Sequence, residues 1–221
     1  MSEIKSGGAV SWPDVVGGVA FNLIPIIGVL FWGWSAFALI FLYWLENVAI
    51  GGRTLLSIVA AGMARGPAAH AGALALGGFF TVHYGMFCFV HGIFVVTMFG
   101  QAVETHGLFD LVGVARALFA AQSNLVFGFA AIVFWQIVEF GLFLARGEAA
   151  RLSPKDLMSA PYPRIVVLHL TILLGGFVLM ASGWPLIGVA ALAVFKAAFD
   201  VAFALGWRMD RKPGARADKP A

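Results

Sequence analysis

Apolar runs of about 20 residues alternate with short polar breaks along most of the chain. A membrane-spanning helix needs about 20 mostly apolar residues. Six segments meet that requirement: 14–31, 34–61, 71–99, 124–145, 164–181 and 185–207. The pattern predicts an all-α fold, a polytopic transmembrane helix bundle of about six spans plus a short interfacial helix. Asn22 and Pro25 make the first run irregular, and a tight turn centred on Gly33 leads into the second. No small-residue cleavage site follows a short apolar core, so the first run is expected to be retained.

Two shorter pieces have a helical pattern of their own. Between Val103 and Ala121, the residues Leu108, Leu111, Val112, Ala115, Leu118 and Phe119 fall on one stripe. That predicts a helix lying at the membrane surface. The run Ser153-Pro154-Lys155-Asp156 reads as an N-cap, a proline at the first helical position and an acid in the first turn. A short helix should follow and stop before Pro161 and Pro163.

Composition agrees with a membrane location. Hydrophobic residues make up 61% of the chain and charged residues 11%, against about 25% charged in soluble domains. The net charge of +3 supplies no basic face for nucleic acid. Positive side chains gather at Lys5, Arg65, Arg146, Arg151 and Lys155, and in the tail 208–221 at Arg208, Arg211, Lys212, Arg216 and Lys219. The positive-inside rule then puts both termini, 1–13 and 208–221, in the cytoplasm of a bacterial inner membrane. The tail is polar and is expected to be disordered. The lone Cys88 excludes an internal disulfide and reads as a core residue.

Five of the runs carry ionisable groups near their middle: Glu46, His83, Glu139, His169, and the pair Lys196 and Asp200. Each such group costs roughly 2.5–3.5 kcal/mol at the bilayer centre and normally faces a protein interior or a wet cavity. Counted from span centres at 1.5 Å per residue, all six lie within roughly 6 Å of the midplane. Tyr43-Trp44 precedes Glu46, and Phe134-Trp135 precedes Glu139. Each acidic span is followed by a histidine span, which suggests four ligand-type groups in one bundle.

Histidine nitrogen and carboxylate oxygen together suit zinc, iron or manganese. The candidate ligands are Glu46, His83, Glu139, His169 and Asp200, supported by Asn47, His91 and Lys196. No Glu-x-x-His pair of the di-iron bundle type is present. Plainer roles compete with ligation. Glu46 can pair with Lys196, and Lys196 and Asp200 share a helix face. His91 is rotated about 80° from His83 and raised about 12 Å, so the two cannot share one ion. Arg53 is placed near enough to the inner surface to snorkel. The tryptophans, Trp32 and Trp34 among them, read as interface anchors.

The run Tyr43-Trp44-Leu45-Glu46-Asn47, the His83/His91 span, the His169 span and Lys196-x-x-x-Asp200 together resemble a family of small bacterial multi-pass membrane proteins. That family carries no assigned activity, so the resemblance implies a membrane bundle and no mechanism. Three readings follow from the residues. One is a metal-binding or redox membrane protein, and the second is a proton-coupled small-molecule transporter. The third is a non-catalytic assembly partner, acting as a homo-oligomer or with another membrane protein.

Overall fold

Apolar side chains on neighbouring helices set the architecture, and glycines decide how closely the helices approach. The computed structural model describes residues 27–28, 31–100, 107, 109–163, 165–166, 169 and 194. The chain divides into two units, Met1–Tyr162 and Pro163–Ala221. Six helices follow one another in the described part of the first unit: α1 Ala36–Met63, α2 Pro67–Phe99, α3 Leu111–Ala121, α4 Leu125–Ala145, α5 Glu148–Arg151 and α6 Pro154–Ser159. No strand occurs among the described residues. Three helices, α1, α2 and α4, are long and apolar enough to cross a membrane. They correspond to the runs 34–61, 71–99 and 124–145. The runs 14–31, 164–181 and 185–207 lie almost wholly outside the described residues.

Local sequence explains the helix ends. Gly33 has a φ of 66°, the left-handed turn expected there. Ser35 then caps α1, its hydroxyl accepting from the Ala38 amide at 3.1 Å. Helix α2 starts earlier than the apolar run suggests, because Pro67 sits at its first turn, where a missing N–H costs nothing. Ser153 caps α6 by accepting from the Asp156 amide at 3.1 Å, with Pro154 at the first helical position. That short helix ends before Pro161, as the sequence predicts.

Helices α1 and α2 form an antiparallel hairpin whose register is marked along its whole length. Phe37 meets Gly100, Trp44 meets Gly92, Leu55 meets Gly77, and Gly62 meets Ala73. Small residues let the backbones approach, as they do in membrane bundles. A Cβ on Gly62 would lie 2.3 Å from the Ala73 Cβ. Two hydrogen bonds to backbone carbonyls lock the seam: Trp44 Nε1 donates to Cys88 O at 2.7 Å, and the Tyr84 hydroxyl donates to Asn47 O at 3.0 Å. Cys88 itself is buried.

Helix α4 runs parallel to α1. At one end Trp34 Nε1 donates to Asn124 Oδ1 at 3.0 Å. At the other end Arg65 donates to the carbonyls of Ala149, Ala150 and Leu152 at 2.6–3.0 Å, and to Ala61 O at 2.7 Å. Trp34 is therefore a buried tie between helices, 3% exposed, and not a solvated interface anchor. Trp32, by contrast, is 41% exposed.

Helix α3 is turned relative to its predicted stripe. Leu111, Val114 and Leu118 are buried on α3, while Val112 is exposed. Gly92 leaves a notch that Leu111 enters, its Cδ1 2.9 Å from where a Gly92 Cβ would be. That contact sets the rotation of α3 against α2. The predicted start of the stripe, 103–106 and Leu108, lies outside the described residues.

Candidate functional site

Glu46 and Arg53 on α1, Gln136 and Glu139 on α4 and His91 on α2 follow the buried stripes of their helices, whereas His83 is exposed on α2. On α1, Leu39, Tyr43, Ile50 and Ser57 are buried, and Glu46 and Arg53 occupy the same i, i+3, i+4 stripe. Glu46 is half-buried. On α4 the buried residues are Leu125, Gly128, Gln136 and Phe143, and Glu139 continues that stripe, also half-buried. On α2, His91 is buried at 5% exposure and stacks on Phe87 with ring centroids 6.1 Å apart.

His83 lies beside the α2 seam and faces a different partner. Its Nδ1 is 2.7 Å from the Tyr162 hydroxyl, and its ring stacks on Phe79. A phenol can donate to an unprotonated ring nitrogen or accept from a protonated one, so the direction of this hydrogen bond follows the histidine tautomer. Tyr162 also stands edge-on to Tyr84. It reaches this position because α6 folds back to pack on α1 and α2. Asn47 is buried, and its amide donates to Tyr43 O at 3.3 Å.

Arg53 turns toward α4. Its Nε donates to Gln136 Oε1 at 2.8 Å, crossing from α1 to α4 inside the apolar part of the bundle. The physical reason is distance. Ten residues separate Arg53 from Met63, or about 15 Å of helix, which exceeds the reach of the side chain. A polar partner on α4 is nearer than the end of α1. The pair lies in a cleft of about 340 Å³ between α1 and α4, walled by Leu45, Val48, Leu56, Phe129, Val133 and Phe140.

The register of the three spans fixes relative depth. His91 lies level with Trp44, because Trp44 contacts both Cys88 and Gly92. His83 lies level with the stretch from Asn47 to Gly51, since the adjacent Tyr84 contacts both. Gln136 lies level with Arg53. From the Ser35 end toward the Arg65 end the order is therefore His91, Glu46, His83, Arg53 with Gln136, and Glu139. The steps sum to about 18 Å at 1.5 Å per residue, against a hydrocarbon core of about 30 Å. Glu46 and Glu139 are about 15 Å apart along the helix axes.

Among the described residues, no group of three or more His, Cys, Asp or Glu side chains is placed to hold a metal ion. His169 is helical and half-buried in the second unit, and Lys196 and Asp200 lie outside the described residues. Gln136 and its bond to Arg53 are the part of the site that residue type alone does not point to. The available signal was position, since residues 136 and 139 are both polar on an otherwise apolar stripe.

The chain belongs to the family of unknown function DUF6498, whose model matches residues 6–218. No curated protein and no solved structure matches. Membership of DUF6498 extends over all six apolar runs, including those beyond the described helices.

Proposed function

We propose that this DUF6498 protein is a six-span protein of the bacterial inner membrane, with cytoplasmic termini, that couples proton movement to transport of a small molecule. One observation carries the reading: Glu46, Glu139 and the buried His91 lie at successive depths along α1, α4 and α2, the two acids half-buried beside the buried stripes. Chains of acids and histidines at staggered depth are the usual form of a proton relay in membrane carriers. The parallel run of α1 and α4 supports the topology, because it brings Arg65 and the loop carrying Arg146 and Arg151 to one end. The positive-inside rule makes that end cytoplasmic.

The same depths favour a proton path over a shared metal ion. Ligand atoms lie about 2 Å from a bound zinc, so two of them approach within about 4 Å of each other. Glu46 and Glu139, about 15 Å apart in depth, do not serve one ion together. Reconstitution tests the reading. Proteoliposomes with an imposed membrane potential should take up protons, reported by an internal pH-sensitive dye. Glu46→Gln and Glu139→Gln should each slow that uptake at least about tenfold, a conservative figure beside the roughly hundredfold or more typical for a positioned acid or base. Equal rates for wild type, both variants and empty liposomes would reject transport.

A further inference from the structure

We propose that the segment Ser153–Tyr162 is a re-entrant strap, a gate that enters the membrane from the Arg65 end, closes on His83, and swings out when the Tyr162–His83 bond breaks. What the strap regulates rests on the proton path proposed above; its position and movement do not.

Depth carries the first half of the argument. Helix α4 runs parallel to α1, with Gln136 level with Arg53. Its apolar span ends at Ala145, nine residues further on, so the hydrocarbon edge lies near Gly62 of α1. Arg65 and Arg146 follow just outside that edge. The Tyr162 ring lies 5.6 Å from the His83 ring and 6.2 Å from the Tyr84 ring, and Tyr84 in turn touches Gly51. From Gly62 inward to Gly51 is about 16 Å of helix, about half of a hydrocarbon core of 30 Å. Yet the same segment starts outside, where Arg65 holds the carbonyls of Ala149, Ala150 and Leu152. The chain therefore climbs between Leu152 and Tyr162, and at Tyr162 its backbone comes within one side chain of mid-membrane. Non-helical backbone is tolerated at such depth only against protein or water. The turn at Ala160 and Pro161 that ends α6 meets that condition, because Pro161 is buried and α6 packs on α1 and α2.

The two ends of the strap are held unequally. At the outer end one charged guanidinium donates to three strap carbonyls and to Ala61 O, and hydrogen bonds from a charged donor are the strong ones. At the inner end a single side-chain hydrogen bond of 2.7 Å joins Tyr162 to His83, which is itself exposed. Between them Leu152 and Ser153 are both extended, with ψ of 135° and 147°, and make a joint between α5 and α6. A segment anchored firmly outside, jointed, and lightly pinned inside swings about its outer end. Closed, it covers the approach to His83 from the Arg65 side.

The test is the distance between two nitroxide labels on the full chain in liposomes, read by pulsed electron paramagnetic resonance. One label is carried by Thr97→Cys, exposed near the far end of α2, and the other by Ser159→Cys, exposed at the end of α6, in a Cys88→Ala background. A re-entrant strap predicts one main distance of about 30 Å, since Thr97 lies about 21 Å of helix from His83. A strap at the surface, level with Pro67, predicts about 45 Å. Tyr162→Phe should raise the weight of a longer component about two- to tenfold, the range for one neutral hydrogen bond. His83→Phe should do the same, and the double variant should add nothing further. These distances without any proton flux would reject the transport reading and support the strap. A wild-type distance near 45 Å would overturn the proposal, and so would a distribution that neither variant changes.

Discussion

Two adjacent glycines on α1 face opposite kinds of neighbour. A Cβ on Gly51 would lie 2.5 Å from the Tyr84 ring, whereas one on Gly52 would meet nothing. Gly51 belongs to the α1–α2 seam, which is sealed by small residues, aromatic rings and hydrogen bonds to backbone carbonyls. Gly52 belongs to the α1–α4 side, where a cleft holds the Arg53–Gln136 pair. One helix therefore has a closed face that defines the fold and an open face that carries charge. Lipid is as apolar as leucine, so close packing and hydrogen bonds must hold the seam. The cleft beside it lacks that close packing, and there the Arg53–Gln136 bond ties α1 to α4.

Substitutions at the glycines give the largest expected contrast. Gly62→Leu forces a side chain against the Ala73 Cβ at 2.3 Å and the Ala69 carbonyl oxygen at 3.2 Å. Backbone cannot yield there, and a loss of about 3 kcal/mol is expected, the upper range for overpacking. Gly52→Leu should change stability by under about 0.5 kcal/mol, as for a site without close neighbours. Denaturation in mild detergent, followed by circular dichroism, measures both. Similar losses at the two sites would erase the distinction between the faces.

A smaller effect is expected across the cleft. Arg53→Met removes the donor to Gln136 and should cost about 1–2 kcal/mol, the range for interhelical polar contacts in membranes. In a double-mutant cycle with Gln136→Leu, the second change should cost less in the Arg53→Met background. Strict additivity would mean that the 2.8 Å bond contributes nothing to holding α4.

Much of this frame is legible in the residues. Hydropathy marks α1, α2 and α4 to within a few residues, and Ser153-Pro154 announces α6 by capping chemistry alone. Gly33 marks its turn because only a left-handed residue fits there. What stays hidden depends on register. Residue depth within one span is countable, but Arg53 finds Gln136 only once α1 and α4 are aligned, 83 positions apart. The same alignment separates Glu46 from Glu139, which span-by-span counting places at similar depth. The rotation of α3 was equally hidden, because it depends on the notch at Gly92.

The smallest expected effect lies at the folded-back loop. Tyr162→Phe removes the 2.7 Å contact with His83 and should cost about 0.5–1.5 kcal/mol, as for an ordinary hydrogen bond. Burial raises the Tyr162 phenol above its ordinary 10.0. A raised folded-state value means that its stabilising contribution is full below pH 10 and fades as pH climbs through the raised value. Ultraviolet titration should show a phenol that ionises later than a free tyrosine and that the Phe variant lacks. A normal titration for every tyrosine would place Tyr162 in open solvent.

Water access along the titratable stripe tests the central claim most directly. In a Cys88→Ala background, single cysteines at positions 46, 50 and 53 of α1 and at 77, 80 and 84 of α2 would be exposed to a charged, membrane-impermeant thiol reagent. A proton path through the bundle predicts labelling at 46, 50 and 53 and protection at 77, 80 and 84. Protection at all six positions, in protein that labels fully once denatured, would contradict the account and leave the polar residues as packing devices.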